Sequence, residues 1–254
     1  MNQTLLGKDT EKTLQNREKL SLNKNLLFWY SKLYEDQFEA VQDASSLKIL
    51  EIGSGTSPLK RFIPIVMTSD VMRLDYLDYI MDAHEIDKVT SLKDNSLDII
   101  TMTNVLHHLQ DPLLFLTRAS LKLKPGGKII FTEPFFSIVS KCIYVNLHHE
   151  PTDFHVQMPK LDKIEGPLSS ANIALPYLIF FEKKWDGPLQ QQYEYRINEF
   201  RYFSSISYYL SGGISRSFKL PHLLYKIVFH LDLMLSKHFP RFFASFFTCT
   251  MTKK

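Results

Sequence analysis

The hydrophobic and polar positions fall into three textures. From Met1 to Ser46 the chain starts polar and then sets Leu26, Tyr30, Leu33, Tyr34, Phe38 and Val41 three and four residues apart. That spacing predicts an amphipathic helix packed on the next region of the chain. From Leu47 to Phe136 short apolar runs (LKILEI, IVMTSD, YIMDA, LDIITMT and GKIIFTE) alternate with helical stretches. Such runs predict strands of a parallel sheet buried on both faces. Between the last two, Asp111 stands as a helix cap with Pro112 at the first helical position. Leu113, Leu116 and Leu123 form the apolar face, and Pro125-Gly126-Gly127 closes the helix. From Ser137 to Lys254 the alternation is lost and aromatic residues crowd in. The expected organisation is a helical segment over 1–46, a ligand-binding core over 47–136, and elaboration plus closing strands of the same domain over 137–254, with FFTCTMTKK as the final strand.

Composition narrows the class. With 254 residues, 44% hydrophobic and 22% charged, the chain can bury one sizeable core, and a disordered chain is excluded. The longest apolar stretch, Leu220 to Phe247, is interrupted by Pro221, Lys226, Asp232, Lys237 and Pro240, so no membrane span is expected. A net charge of +3 makes no bulk electrostatic case for nucleic acid, and no such partner is expected. Cys142 and Cys249 cannot build a disulfide framework, and the first residues show no signal-peptide pattern. A cytoplasmic location is therefore expected.

The candidate chemistry begins at Ile49-Leu50-Glu51-Ile52-Gly53-Ser54-Gly55-Thr56-Ser57-Pro58, a strand running into two glycines and then a helix start with Pro58 at its first position. Glycine is required where a Cβ would block positive φ or the close approach of a ligand. A dinucleotide fingerprint would carry a third glycine where this chain has Pro58, which counts against a nicotinamide-dependent oxidoreductase. Asp70 lies nineteen residues after Glu51, at the end of the next apolar run, where a doubly wound fold places a carboxylate for ribose hydroxyls. Asp82-Ala83 and then Asn104 end the next two strands.

EIGSGTSP, Asp70, Asp82-Ala83, DNSLDIITMTNVLHHL and LKPGGKIIFTEP, in this order, resemble the class I S-adenosylmethionine-dependent methyltransferases, and most of all their type-11 group. The resemblance covers about 90 residues. It implies a Rossmann-like, doubly wound, seven-stranded, mostly parallel α/β sheet with helices on both faces, an N-terminal helix and an inserted aromatic-rich region. It implies S-adenosylmethionine as cofactor. Gly53 and Gly55, with Ser54 between them, would pass beneath the methionine moiety and Glu51 would order the loop. Asp70, with Val71 after it, would hold the ribose hydroxyls, Asp82 and the Ala83 backbone the adenine, and Asn104 would lie near the methionine end. The segment between Gly55 and the second strand, cut by Pro64, leaves room for at most two helical turns, fewer than the family usually has.

Histidines supply candidates for a base. His107 and His108 come after a strand on the cofactor side, and His108, His148 and His149 are the catalytic candidates for a hydroxyl acceptor. Glu133, at the end of the next strand, is a candidate substrate contact, with a helix-capping or solvated role as the alternative. The segment His148 to His155 crowds three histidines and two carboxylates together, but Pro151 breaks the helical spacing a two-ligand pair would need, so no metal is expected there. Tyr30 and Tyr34 are expected to wall the substrate side.

The tail from Ile214 to Lys254 carries Arg216, Lys219, Lys226, Lys237, Arg241, Lys253 and Lys254 against Asp232 alone. A basic, aromatic amphipathic stretch of this kind can lie on an anionic bilayer. The commoner alternative makes Leu224, Ile227, Val228, Leu231 and Leu235 core contacts with solvated lysines opposite. FTEPFF, HHEP and SGGIS resemble methyltransferase-like proteins of surface-polysaccharide pathways, implying a small-molecule, sugar or lipid-linked sugar acceptor at the inner membrane surface. The competing class is a catalytically silent relative that binds partners or membrane through this tail.

Overall fold

The computed structural model describes residues 3–146, 150–162, 164–214 and 219–254. Two helices open the chain, α1 (Gln3–Leu22) and α2 (Lys24–Gln37). The polar opening stretch is thus itself helical, and Asn23 separates the two by accepting the backbone N–H groups of Asn25 and Leu26. Next come β1 (Ile49–Ile52), α3 (Leu59–Phe62), β2 (Met67–Asp70), β3 (Tyr79–Ile80), β4 (Leu97–Thr103), α4 (Pro112–Lys122) and β5 (Leu123–Pro134). The remainder holds α5 (Ile138–Asn146), α6 (Ala174–Phe180), α7 (Gly187–Gln192), β6 (Tyr193–Glu194), β7 (Arg201–Phe203), α8 (Ser207–Leu210), α9 (His222–His238), α10 (Pro240–Phe243) and β8 (Phe246–Lys253).

The strands form one sheet in the order β3-β2-β1-β4-β5-β8-β6, with β7 also paired to β8. The first five strands run parallel, and β8 is antiparallel to β5 from Lys128↔Thr252 to Pro134↔Phe246. The order reverses at β1 and β4, so the loops leaving their carboxyl ends diverge and open a crevice. Leu50, Ile52, Ile100, Met102, Ile129 and Phe131 form the core on one side of the sheet. On the other, Tyr34 of α2 and Phe38 at its carboxyl cap pack against Ile49, Ile99 and Ile130. The next face of α2 sets Trp29 and Leu33 against Phe203, Tyr225 and Phe229.

Local signals account for most boundaries and err at two. Asp111 caps α4 as expected, its side chain accepting from Leu114 N. The helix ends at Lys122, and Pro125-Gly126-Gly127 instead lies within an irregular start of β5, where the β4–β5 register shifts between Leu97 and Ile99. Pro58 sits one residue before α3 rather than in its first position, and α3 is a single turn.

On α9 the burial departs from the expected core face, with Leu224, Ile227 and Leu231 exposed and Val228 and Leu235 only half-buried. Tyr225, Phe229, Asp232 and Ser236 face inward, while Leu223, Leu224, Ile227, Leu231 and Met234 are exposed, Leu223 to 79%. The cause is Asp232, whose carboxylate accepts the backbone N–H groups of Ser205, Ile206 and Ser207 ahead of α8. The Ser205 and Ser207 donors are buried and otherwise orphaned, and satisfying them decides which face turns in.

Candidate active site

The crevice begins with the loop after β1. Gly53 has φ +73°, and a Cβ there would come within 2.5 Å of a Val105 methyl. A Cβ on Gly55 would sit 2.9 Å from the Thr13 methyl and 3.0 Å from Asp70 Oδ2. Both glycines are therefore sterically required. The buried Glu51 stands behind the loop and binds it, accepting from the Ser54 hydroxyl at 2.7 Å and from the Ser57 hydroxyl. Burial raises its carboxyl to about 7, against the hydroxyls of Ser57 and Ser54 and the Arg17 charge.

From the other side α1 clamps the same loop. Arg17 donates to Ser57 O at 3.0 Å and lies 4.0 Å over the Tyr76 ring, whose hydroxyl donates to Gly55 O. Asp70 accepts from Gly55 N and Met72 N, both at 3.0 Å. Burial raises its carboxyl despite those backbone donors.

A cavity of about 330 Å³ opens over these groups, and Gly53, Gly55, Asp70, Val71, Asp82, Ala83 and Asn104 line it together. Of the expected cofactor residues only Glu51 and Ser54 are not in its wall, and both act on the loop from behind. Asp82 Oδ1 accepts from the backbone N–H and ring Nδ1 of His84, which holds its carboxyl below the usual range. Asn104 adopts φ +56°, and its Oδ1 is buried with no hydrogen-bond partner among the described residues. Tyr30 and Tyr34, expected on the substrate side, line this first cavity instead. Thr13, Met72, Leu168 and Tyr208 line it too. Sequence reasoning misses these four, since no local motif marks them and all but Met72, which follows Asp70 and Val71, come from distant elements.

A second cavity of about 450 Å³ adjoins the first, sharing Thr56, Asn104, His108, Leu168, Tyr208 and Ile214 with it. His107, Tyr144, Glu150 and Tyr209 also face it. Glu133 does not, which corrects its reading as a substrate contact. It is fully buried, with Oε1 accepting from Val105 N at 2.8 Å and Leu106 N at 2.7 Å and Oε2 accepting from His107 Nδ1. Its task is to hold the loop after β4.

The two adjacent imidazoles have opposite charge tendencies. Burial lowers the His107 pKa, but Glu133 and then Glu150 outweigh it and bring it up to about 10. Burial, and then the charge of His107, push His108 down to about 4. His108 Nδ1 donates to Ser170 O at 2.9 Å, which leaves Nε2 as the lone-pair nitrogen. His148 and His149 lie outside the described residues.

A family model described as "Methyltransferase domain" matches residues 27–159. No curated protein sequence matches the chain. Among solved structures, one chain of the Haloferax volcanii complex that contains the Trm112 methyltransferase activator is similar over 93% of this chain and 96% of its own, at 11% identity and TM-score 0.51. A SAM-dependent methyltransferase from Archaeoglobus fulgidus is 16% identical over 88% of this chain and 94% of its own, with TM-score 0.45. The citrinin polyketide synthase CMeT domain aligns over 36% of this chain and 30% of its own, at 18% identity and TM-score 0.29. The Haloferax likeness concerns the fold, whereas the family model spans more than half of the chain and takes in β1, β2, β4 and the loops that line the crevice. On that match the protein belongs to the methyltransferase-domain family and is a class I S-adenosylmethionine-dependent methyltransferase.

Proposed function

We propose that the first cavity holds S-adenosylmethionine and the second its methyl acceptor, so that the reacting atoms meet beside Asn104 and His108. The observation that carries this reading is the shared wall: two compartments, one ringed by carboxylates and glycines, the other by histidines and tyrosines, meet at Thr56, Asn104, His108 and Tyr208. The residues present fit the cofactor. Gly53 and Gly55 leave a cradle that a Cβ would fill, Asp70 keeps acceptor capacity beyond its two backbone donors, and the buried Asn104 Oδ1 awaits a donor. In this arrangement Asp70 and Val71 face the ribose, Asp82 and Ala83 the adenine, and Asn104 the methionine end.

The cofactor supplies a methyl carbon on a positively charged sulfur. When bound it would pass that carbon to an acceptor lone pair, the carbon–sulfur electron pair returning to sulfur and any acceptor proton being released. The chain's part is to hold both partners in line at about 3 to 3.5 Å and keep water out. Tyr30, Tyr34 and Leu168 of the first wall and Tyr144, Tyr208 and Phe246 of the second supply that enclosure.

For the acceptor we favour a sugar hydroxyl on a lipid carrier, reached from the cytoplasmic face of a membrane. Support comes from the surface beside the second cavity. Tyr144 of α5 faces the cavity, while Ile138 and Val145 of the same helix are exposed at 66% and 56%. The exposed apolar surface reappears on α10 at Phe242, flanked by Phe239, and on α9 at Leu223, Ile227, Leu231 and Met234. Lys226 of α9 and Arg241 of α10 lie close to that stripe along the chain, so an anionic lipid surface suits its charge, whereas Lys237 is paired with Asp36 at 2.9 Å. No helix among the described residues is long and apolar enough to cross a membrane, and the stripe would lie along a bilayer surface.

Incubation with methyl-labelled cofactor and separated cell fractions tests this. Label in the lipid-extractable, sugar-containing fraction is expected. Label confined to water-soluble small molecules or to protein would overturn the acceptor assignment.

A further inference from the structure

The loop after β4 and the segment near Glu150 bring three metal-ligating side chains to one point. A donor atom of each of His107, His108 and Glu150 lies within 4.8 Å of the others, and all three residues face the second cavity. Glu150 approaches His107 Nε2 at 3.5 Å through Oε2 and His108 Nε2 at 3.7 Å through Oε1. Both separations exceed a usual hydrogen bond of about 2.7–3.2 Å. Donors about 2.0–2.1 Å from a tetrahedral ion stand roughly 3.4 Å apart, close to these spacings.

The surroundings match what metal-binding histidines require. A ligating imidazole almost always donates its other ring N–H to a carboxylate or a backbone carbonyl, which fixes its tautomer and orientation. Here His107 Nδ1 donates to the fully buried Glu133, and His108 Nδ1 donates to Ser170 O at 2.9 Å. His108 Nε2 faces the cluster with its lone pair, and His107 Nε2, which carries a proton toward Glu150, would release that proton on binding an ion. Glu133 is itself fixed by Val105 N and Leu106 N, so the support reaches into the sheet. Pro151 argues only against a metal pair within one helix, whereas these ligands come from two separate loops.

We propose that His107, His108 and Glu150 form a binding site for a divalent transition-metal ion of the zinc class, with at least one coordination position open to the second cavity. Two imidazoles and one carboxylate suit such an ion and leave room for an oxygen ligand. The inference deepens the proposed function, because a cation there would favour ionisation of an acceptor hydroxyl. The hydroxyl proton passes to solvent, the oxygen lone pair forms the bond to the methyl carbon, and the sulfonium is discharged as the carbon–sulfur bond breaks.

The test uses tag-free full-length protein stripped with a chelator and titrated with Co²⁺, read by visible absorption, and with Zn²⁺, read by calorimetry. One equivalent per chain is expected, with affinity at least about tenfold weaker in His108→Ala and Glu150→Ala and about 10–100-fold weaker in Glu133→Gln. Circular dichroism and cofactor binding by Glu150→Ala verify that the fold persists. No binding of either ion up to about 1 mM, or equal affinity in His108→Ala and Glu150→Ala, overturns the proposal. Labelled transfer separates it from the acceptor reading: metal bound without label in the lipid fraction defeats only the acceptor, and label in the lipid fraction with no metal bound defeats only the metal site.

Discussion

The carboxyl edge of β1, β2 and β4 and the exposed face of α9 obey the same physics with opposite outcomes for a reader of the sequence. At the sheet edge, apolar runs are buried and the polar residues that end them, Asp70 and Asn104 among them, line the cavity. On α9 the carboxylate of Asp232 is buried, while Ile227 and Leu231 are 62% and 55% exposed. Strands inside a sheet have their backbone groups satisfied by neighbours, so side-chain hydrophobicity decides most of what is buried, with Glu51 and Glu133 buried for the loops they hold. A helix laid over an irregular loop must also satisfy that loop's donors, and at Ser205, Ile206 and Ser207 this need prevails.

The largest effect that would break this contrast is on Asp232. Asp232→Ala leaves the two buried N–H groups of Ser205 and Ser207 unpaired and should cost roughly 2–5 kcal/mol in urea denaturation. A loss below about 1 kcal/mol would show that hydrogen bonding does not orient the helix.

Next comes the pH dependence of the sheet edge. The Glu51 carboxyl is raised from 4.5 to about 7 by burial, so its contribution to stability is fully present below the unfolded value of 4.5 and is lost as pH rises through about 7. The difference across that window is roughly 2–4 kcal/mol. Wild type should lose stability between pH 5 and 8 relative to Glu51→Gln, and parallel profiles would contradict the assignment.

The cofactor edge is legible in the sequence because its signals are local. Two glycines one residue apart, and carboxylates or an amide at strand ends, mark a crevice in any doubly wound sheet. The clamp by Arg17 and Tyr76 and the walls from Thr13, Leu168 and Tyr208 leave no such mark, because tertiary packing brings them from both ends of the chain. Glu133 misleads for a related reason. Its partners Val105, Leu106 and His107 lie 26 to 28 residues earlier, and a carboxylate at a strand end looks the same whether it faces a ligand or a neighbouring loop. The segment around Glu150 suggests a metal only within itself, and its partners His107 and His108 become visible only in the fold.

The smallest expected stability effect sharpens the other half of the contrast. Ile227→Ser and Leu231→Ser, on the outer face of α9, should change stability by no more than about 0.5 kcal/mol. Together they should abolish sedimentation with vesicles rich in anionic lipid. Undiminished sedimentation would remove the membrane reading of this face, and a large loss of stability would mean that the face is covered.

Whether the cofactor lies over Gly53, Gly55 and Asp70 is tested most directly by calorimetric binding of S-adenosylmethionine to wild type and Asp70→Ala. One equivalent should bind wild type, with affinity at least about tenfold, or 1.4 kcal/mol, weaker in Asp70→Ala at unchanged fold. Equal affinity in the two proteins would contradict the account.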